Sequence, residues 1–194
     1  MEVREAIAER RSIRRFKETP VSEEAIRSIL HAATLAPSGK NRQPWRFVVV
    51  QGAEQRAAMV ARMREGIAKL EAQGMGTGSA KWTVEIMAHA PVTVFVFSAY
   101  ETYAGKLNTL ADDLMDIVDV QSIGAAIQNM ALAALPLGLG TLWICDVFYA
   151  LEELCAWLGE EHVMVAAVAL GVPDEAPAQR PRKPVDEVTR WVGS

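Results

Sequence analysis

Residues 119–144 read DVQSIGAAIQNMALAALPLGLGTLWI, and the way this stretch divides decides the fold. From 120 to 145 the chain carries no charge, and the run is long enough to cross a bilayer at about 20 residues per span. Its interior argues otherwise. Gln128 and Asn129 sit in its middle, Pro136 removes an amide donor, and Gly138 and Gly140 follow closely. Such breakers divide it into a buried helix ending near Leu135, a turn, and a buried strand over 141–145. A helix over 112–135 inside a globular core is therefore expected, and no membrane span.

The flanks supply the other elements. Before it, Ser22 can cap a helix whose first turn holds Glu23 and Glu24, and whose apolar positions Ile26, Ile29, Leu30 and Ala33 recur at helical spacing. Val21 and Ile26 have hydrophobic-staple spacing, and Pro37 and Gly39 stop the helix. Val3, Ala6 and Ile7 mark a short opening helix; 47–50 and 92–97 read as strands, 53–70 as a helix, and GMGTGS at 74–79 as a mobile loop. After it, Leu151, Leu154, Cys155 and Leu158 predict a helix closed by Gly159, and 163–171 is apolar throughout, as a central strand is. VPDEAPAQRPRKPV at 172–185 is too proline-rich for regular structure and predicts an extended arm running to Trp191. Helices and strands interleave without a βαβ rhythm, which points to the α+β class, with helices on both sides of a small sheet.

A chain of 194 residues fits one domain, taken as 1–194. With 51% hydrophobic and 23% charged residues it is neither a disordered chain nor a disulfide-dense miniprotein. A net charge of −4 opposes nucleic-acid binding. The distribution is uneven: residues 1–20 carry six Lys/Arg against four acids, 176–194 four against two, and the middle ten against eighteen. Either this is scatter of solvated side chains, or both ends converge on one anion. Two cysteines, Cys145 and Cys155, and an opening MEVREAIAERR without an apolar signal core predict a cytoplasmic, reducing setting in which both thiols are small core residues.

Most familiar chemistries lack their residues. His31, His89 and His162 have no metal-ligand spacing, and GMGTGS follows a helix where a dinucleotide fingerprint would follow a strand. Asp112, Asp116 and Asp119 share a helical face and read as a solvated first turn. What remains is an anion site. Arg10, Arg11 and Arg14 surround Ser12, while Arg180, Arg182 and Lys183 lie on the arm. Forked guanidiniums beside a hydroxyl suit a phosphate monoester. APSGKNRQPW at 36–45 adds Asn41 and Gln43, which carry the donors and acceptors that a heterocyclic edge requires, or which serve the turn itself.

Together and in this order, these segments resemble the nitroreductase family of flavin-dependent oxidoreductases. RRSIRRF at 10–16 resembles the family's flavin-phosphate segment and APSGKNRQPWRF at 36–47 its most diagnostic motif; 119–144 resembles the central helix, turn and strand, and RPRKPVDEVTRW at 180–191 the closing arm.

The resemblance implies a three-layer sandwich around a small mixed, mainly antiparallel sheet, and FMN held between the subunits of an intertwined homodimer. It places Arg10, Arg11, Ser12, Arg14, Arg180 and Arg182 at the phosphate and ribityl chain. Pro37, Ser38, Asn41 and Gln43 would approach from the other subunit, and Trp143, Ile144, Cys145 and Asp146 would pass along the ring, with a backbone N–H of Cys145 or Asp146 toward N5. Many family members have a small residue or glycine where this chain has Cys145-Asp146. The implied activity is NAD(P)H-driven reduction of small aromatic acceptors, nitroaromatics or quinones, by ping-pong transfer. Other branches fragment flavin or remove halogens, and a non-catalytic flavin sensor is a further alternative.

Overall fold

The computed structural model describes residues 1–102 and 110–193. In chain order the elements are α1 (Val3–Glu9), α2 (Glu23–Thr34), β1 (Trp45–Gln51), α3 (Ala53–Ala72), α4 (Ala80–His89), β2 (Val92–Thr102), α5 (Leu110–Ala134), β3 (Gly140–Ile144), α6 (Leu151–Leu158), β4 (His162–Gly171) and α7 (Val185–Val188). Local chemistry accounts for many of the boundaries. The Ser22 side chain accepts from the Ala25 amide at 3.2 Å and caps α2. Gly138 and Gly159 end their helices in the left-handed conformation that glycine adopts without a Cβ penalty.

The four strands lie in the order β1-β2-β4-β3, each pair antiparallel. The parallel component of the sheet is one isolated bridge, Ser12 to Thr141. As the unbroken apolar run of 163–171 predicts, β4 is central. Alternation along β2 and β4 sends Phe95, Phe97, Ala167 and Ala169 to one face, against α3, α4 and α6, and Val94, Val96, Ala166 and Val168 to the other, against α2 and α5.

Although α5 has the length and composition to cross a membrane, it is a packed layer here. Ile123, Ile127, Met130 and Ala134 are buried, and Asn129 donates to the Ala32 carbonyl at 3.0 Å across to α2. Two sequence expectations are corrected. Residues 80–89 form α4, for which no element was predicted, although Ala80, Thr83, Val84 and Met87 are buried at helical spacing. The 74–79 segment is anchored: Thr77 is buried and donates to Glu71 at 2.8 Å.

Candidate functional site

Between α1 and α2 the basic segment runs extended along the end of the sheet. Ile13 and Phe16 are buried in the core while Arg10, Arg11, Ser12 and Arg14 remain half-buried at the surface. The Ile13 amide donates to Thr141 O and the Lys17 amide to Val172 O, both at 2.9 Å. Gly140 makes this close crossing possible, because a Cβ there would meet Ile13 Cγ1 at 2.5 Å and Pro173 Cγ at 2.9 Å.

The arm returns beside it, irregular except for α7. Arg10, Arg11, Ser12 and Arg14 from the first segment and Arg180 and Arg182 from the arm line one cavity of about 360 Å³. The two basic ends thus converge, 166 residues apart as counted from Arg14 to Arg180. Among the described residues, neither Lys183 nor any carboxylate lines the cavity. The Arg14 guanidinium donates to Ser12 O at 3.1 Å, Arg11 to Ala8 O at 2.6 Å, and Arg182 to Arg180 O at 3.2 Å. Among the described residues, none of these five guanidiniums has a carboxylate partner, whereas Arg15, Arg27, Arg42, Arg46, Arg62 and Arg64 each do.

The second predicted group stands elsewhere. Pro37 and Ser38 lead into a turn in which Lys40, Asn41 and Gln43 all have positive φ, near +50°, a strained conformation for residues with side chains. The fold over-determines it. Ser38 Oγ accepts from the Gln43 amide at 3.0 Å, Gln43 Nε2 donates to Asn41 Oδ1 at 3.3 Å, and Ser122 Oγ of α5 accepts from the Gly39 amide. Arg42 forms a bidentate pair with Asp119 at 2.9 and 3.1 Å and lies 4.4 Å from the Tyr100 ring centroid. That pairing raises the Arg42 pKa. Asp119 is 1% exposed, so the expectation of a solvated acidic turn fails for it; the side chain of Asp112 lies outside the described residues.

The turn rests on α5 at Asp119 and Ser122, whereas Ala131 of α5 and Leu135 just beyond it border a second cavity shared with Arg10 and Arg11. From Asp119 to Ala131 is twelve residues, about 18 Å of helix. Within one chain, the turn that carries Asn41 and Gln43 and the second cavity thus rest on parts of α5 about 18 Å apart, and among the described residues neither Asn41 nor Gln43 lines either cavity.

The third group starts beside the cavity, since β3 touches Ser12 at Thr141. Ile144 is buried and offers only its backbone, and Trp143 is exposed beside Gly124 of α5. Cys145 is exposed, contrary to its expected place in the core, and burial of its sulfur followed by the Asp146 charge pushes its thiol pKa up. Asp146 accepts from Ser79 Oγ at 2.9 Å and Thr83 Oγ1 at 2.5 Å. These contacts fasten the start of α4 to the segment after β3, and Trp82, one turn into α4 and 57% exposed, places its ring 5.6 Å from Arg14. Sequence inspection missed Ser79, Trp82 and Thr83 because α4 itself was missed.

Known proteins share this fold. The model of the nitroreductase family matches residues 7–172. The chain belongs to the nitroreductase family. A Methanothermobacter thermautotrophicus protein provisionally named NADH dehydrogenase/NAD(P)H nitroreductase is 33% identical over 188 residues, spanning 93% of this chain and 82% of its own. A Rhodospirillum rubrum protein named 5,6-dimethylbenzimidazole synthase is 30% identical over 86% of this chain and 79% of its own. Among solved structures, a protein from Desulfovibrio desulfuricans provisionally called a nitroreductase, crystallised with FMN, superposes with a TM-score of 0.75 at 31% identity, covering 100% of this chain and 98% of its own. In this nitroreductase-family chain the cavity lies where the 10–16 segment meets the arm, the two ends of the sequence resemblance.

Proposed function

We propose that this protein is an FMN-dependent oxidoreductase that oxidises NAD(P)H and reduces small aromatic acceptors such as nitroaromatics or quinones. The observation that carries the reading is the convergence of five carboxylate-free guanidiniums and one hydroxyl on a single cavity. A phosphate monoester fits that donor set, since each of its oxygens can accept a charge-assisted hydrogen bond. A neutral ligand would leave five like charges facing one another without compensation.

Bound FMN supplies the two-electron chemistry; the chain's own residues bind and orient. Arg10, Arg11, Arg14, Arg180 and Arg182 hold the phosphate with Ser12, and the backbone of Trp143, Ile144, Cys145 and Asp146 borders the ring. The raised thiol pKa keeps Cys145 protonated at neutral pH. The Asp146 carboxylate is engaged by two hydroxyls, and that role is one of holding α4 in place. The sequence carries no second nucleotide-binding motif, which supports donor and acceptor using one site in turn.

Pro37, Ser38, Asn41 and Gln43 enter through a second copy of the chain. The roughly 18 Å of helix between the α5 contacts of their turn and those of the second cavity, which Arg10 and Arg11 also line, supports a site shared between subunits of a homodimer. So do the exposed apolar side chains of Leu114, Ile117 and Val120 on α5 and of Val185, Val188 and Trp191 on the arm, which soluble chains rarely leave uncovered in groups. A flavin-fragmenting activity is the second reading, favoured by the relative named 5,6-dimethylbenzimidazole synthase.

Anaerobic titration of the FMN-loaded protein with NADH and with NADPH tests both. Bleaching of the flavin spectrum by one of them, with colour restored by a nitro compound or quinone, is expected. Bleaching by neither overturns the reductase, and loss of the flavin itself on admitting oxygen establishes fragmentation.

A further inference from the structure

A carboxylate stands at the joint of the two arginine-bearing segments. Glu175, at the root of the arm, has a side chain only 17% exposed and borders the second cavity together with Arg10 and Arg11. By charge alone it opposes an anion bound nearby, because like charges repel across the short distances of a partly buried site. Its contacts account for its presence.

One oxygen, Oε1, accepts from two consecutive backbone amides, those of Arg14 and of Arg15, the latter at 3.2 Å. The other, Oε2, lies 3.5 Å from Arg15 Nε. Around it the arm root and the basic segment are stitched together. Phe16 bridges to Pro173, the Lys17 amide donates to Val172 O, and the Asp174 amide donates to Arg15 O. Arg14 and Arg15 fall between the Ser12–Thr141 and Phe16–Pro173 bridges, where no strand supplies an acceptor. Glu175 takes that place with a side chain, and in doing so it fixes the backbone of Arg14, whose guanidinium lines the cavity. Two residues further along the arm Pro177 lines the same cavity, and Arg180 follows. One carboxylate thus ties the backbone of Arg14 to the root of the arm that carries Arg180 and Arg182.

We infer that Glu175 is a positioning residue for phosphate binding: it holds Arg14 and the arm in register so that guanidiniums from both segments meet one phosphate. The inference rests on the FMN reading. What it requires of position 175 is an acceptor oxygen at that distance from the backbone, with its negative charge dispensable. Glu175→Gln keeps the oxygen and removes the charge, whereas Glu175→Ala removes both.

The experiment measures dissociation constants of FMN and of riboflavin by flavin fluorescence for the wild-type protein and both variants. The riboflavin-to-FMN ratio isolates the phosphate contribution, and general loosening of the fold moves both ligands together and leaves the ratio unchanged. Glu175→Ala is expected to lower the ratio about tenfold, as loss of one to two hydrogen bonds would, and Glu175→Gln to hold it within about twofold of wild type or raise it. Equal ratios in Glu175→Ala and wild type overturn the inference. So does a rise in both variants, which would make Glu175 a mere electrostatic opponent, or a stand-in that the phosphate displaces. A wild-type ratio near one, visible before any variant is made, overturns the phosphate cavity itself and is thereby distinguished from failure at Glu175.

Discussion

Arg14 and Arg42 occupy short irregular segments on either side of α2, and the fold treats them in opposite ways. Arg42 is clamped: Asp119 takes it bidentately from α5, Tyr100 lies under its guanidinium and donates its hydroxyl to the Arg42 carbonyl at 2.8 Å. Arg14 is held by its backbone, through Glu175, while among the described residues its guanidinium meets the Ser12 carbonyl and the Trp82 ring and no carboxylate. In one region the charge is consumed in stabilising a strained turn; in the other the backbone is fixed and the charge is left over. An arginine whose side chain is neutralised within the fold is architectural, and a group of arginines positioned by their backbones but not neutralised is prepared for a ligand.

The largest effect expected tests whether the two regions serve one site from two subunits. Homodimers of Arg14→Glu and of Asn41→Ala/Gln43→Ala should each lack activity. Refolded as an equal mixture, about half the dimers are mixed, each with one doubly damaged and one intact site, so activity should return to about a quarter of wild type. Mixed dimers seen by mass spectrometry without recovered activity would refute the shared site, because a site built within one chain carries a lesion in every mixed dimer.

Next comes the ligand side of the contrast. Arg14→Glu should weaken FMN about a hundredfold, since a charged hydrogen bond contributes roughly 1.5–3 kcal/mol and reversal adds repulsion. Its unfolding midpoint in the ligand-free state should shift little, because no carboxylate depends on it. Arg42→Ala should do the reverse. It leaves the buried Asp119 carboxylate unpaired, a loss of about 3 kcal/mol in denaturant unfolding, and a variant of unchanged stability would remove the clamp from this account.

Acid should act on the architectural pairs. Arg46 first, then His162, hold the Glu160 carboxyl below its ordinary 4.5. The folded state therefore keeps Glu160 ionised to lower pH than the unfolded chain does. The resulting stability is full above about pH 4.5 and is lost as pH falls through the lower folded value. Arg46→Met should flatten the pH dependence of the melting temperature in that range, and an unaltered profile would assign the acid sensitivity to other carboxylates. The smallest effect is expected at Cys145→Ala, which keeps the backbone and removes a thiol whose pKa is raised, first by partial desolvation and then by Asp146. Flavin reduction by NAD(P)H should change by no more than about twofold, and a large loss with normal FMN content would give the sulfur a role.

Elements whose causes are local were legible in the sequence. Ser22 caps α2, Gly159 closes α6, and Pro136 with Gly138 ends the long uncharged run as a helix and turn, because capping and left-handed turns depend on residues within one helical turn of each other. The unbroken apolar run of 163–171 announced a central strand for the same reason: both of its faces are buried. Helix α4 carried a readable period and was missed beside its glycine-rich neighbour.

The arginines show where local reading stops. Their clustering at both ends of the chain was visible in composition alone, and so was the chemistry that forked guanidiniums share with phosphate. Nothing near Arg42 in sequence shows that its charge is neutralised while that of Arg14 is not. Asp119, which neutralises one, lies 77 residues away, and Glu175, which positions the other without neutralising it, lies 161 residues away. Residue type is a property of the sequence and fixed what each segment could bind. Whether a charge is spent inside the fold or left for a ligand is a property of contacts between distant segments, and only the packing of α5 and of the arm decided it.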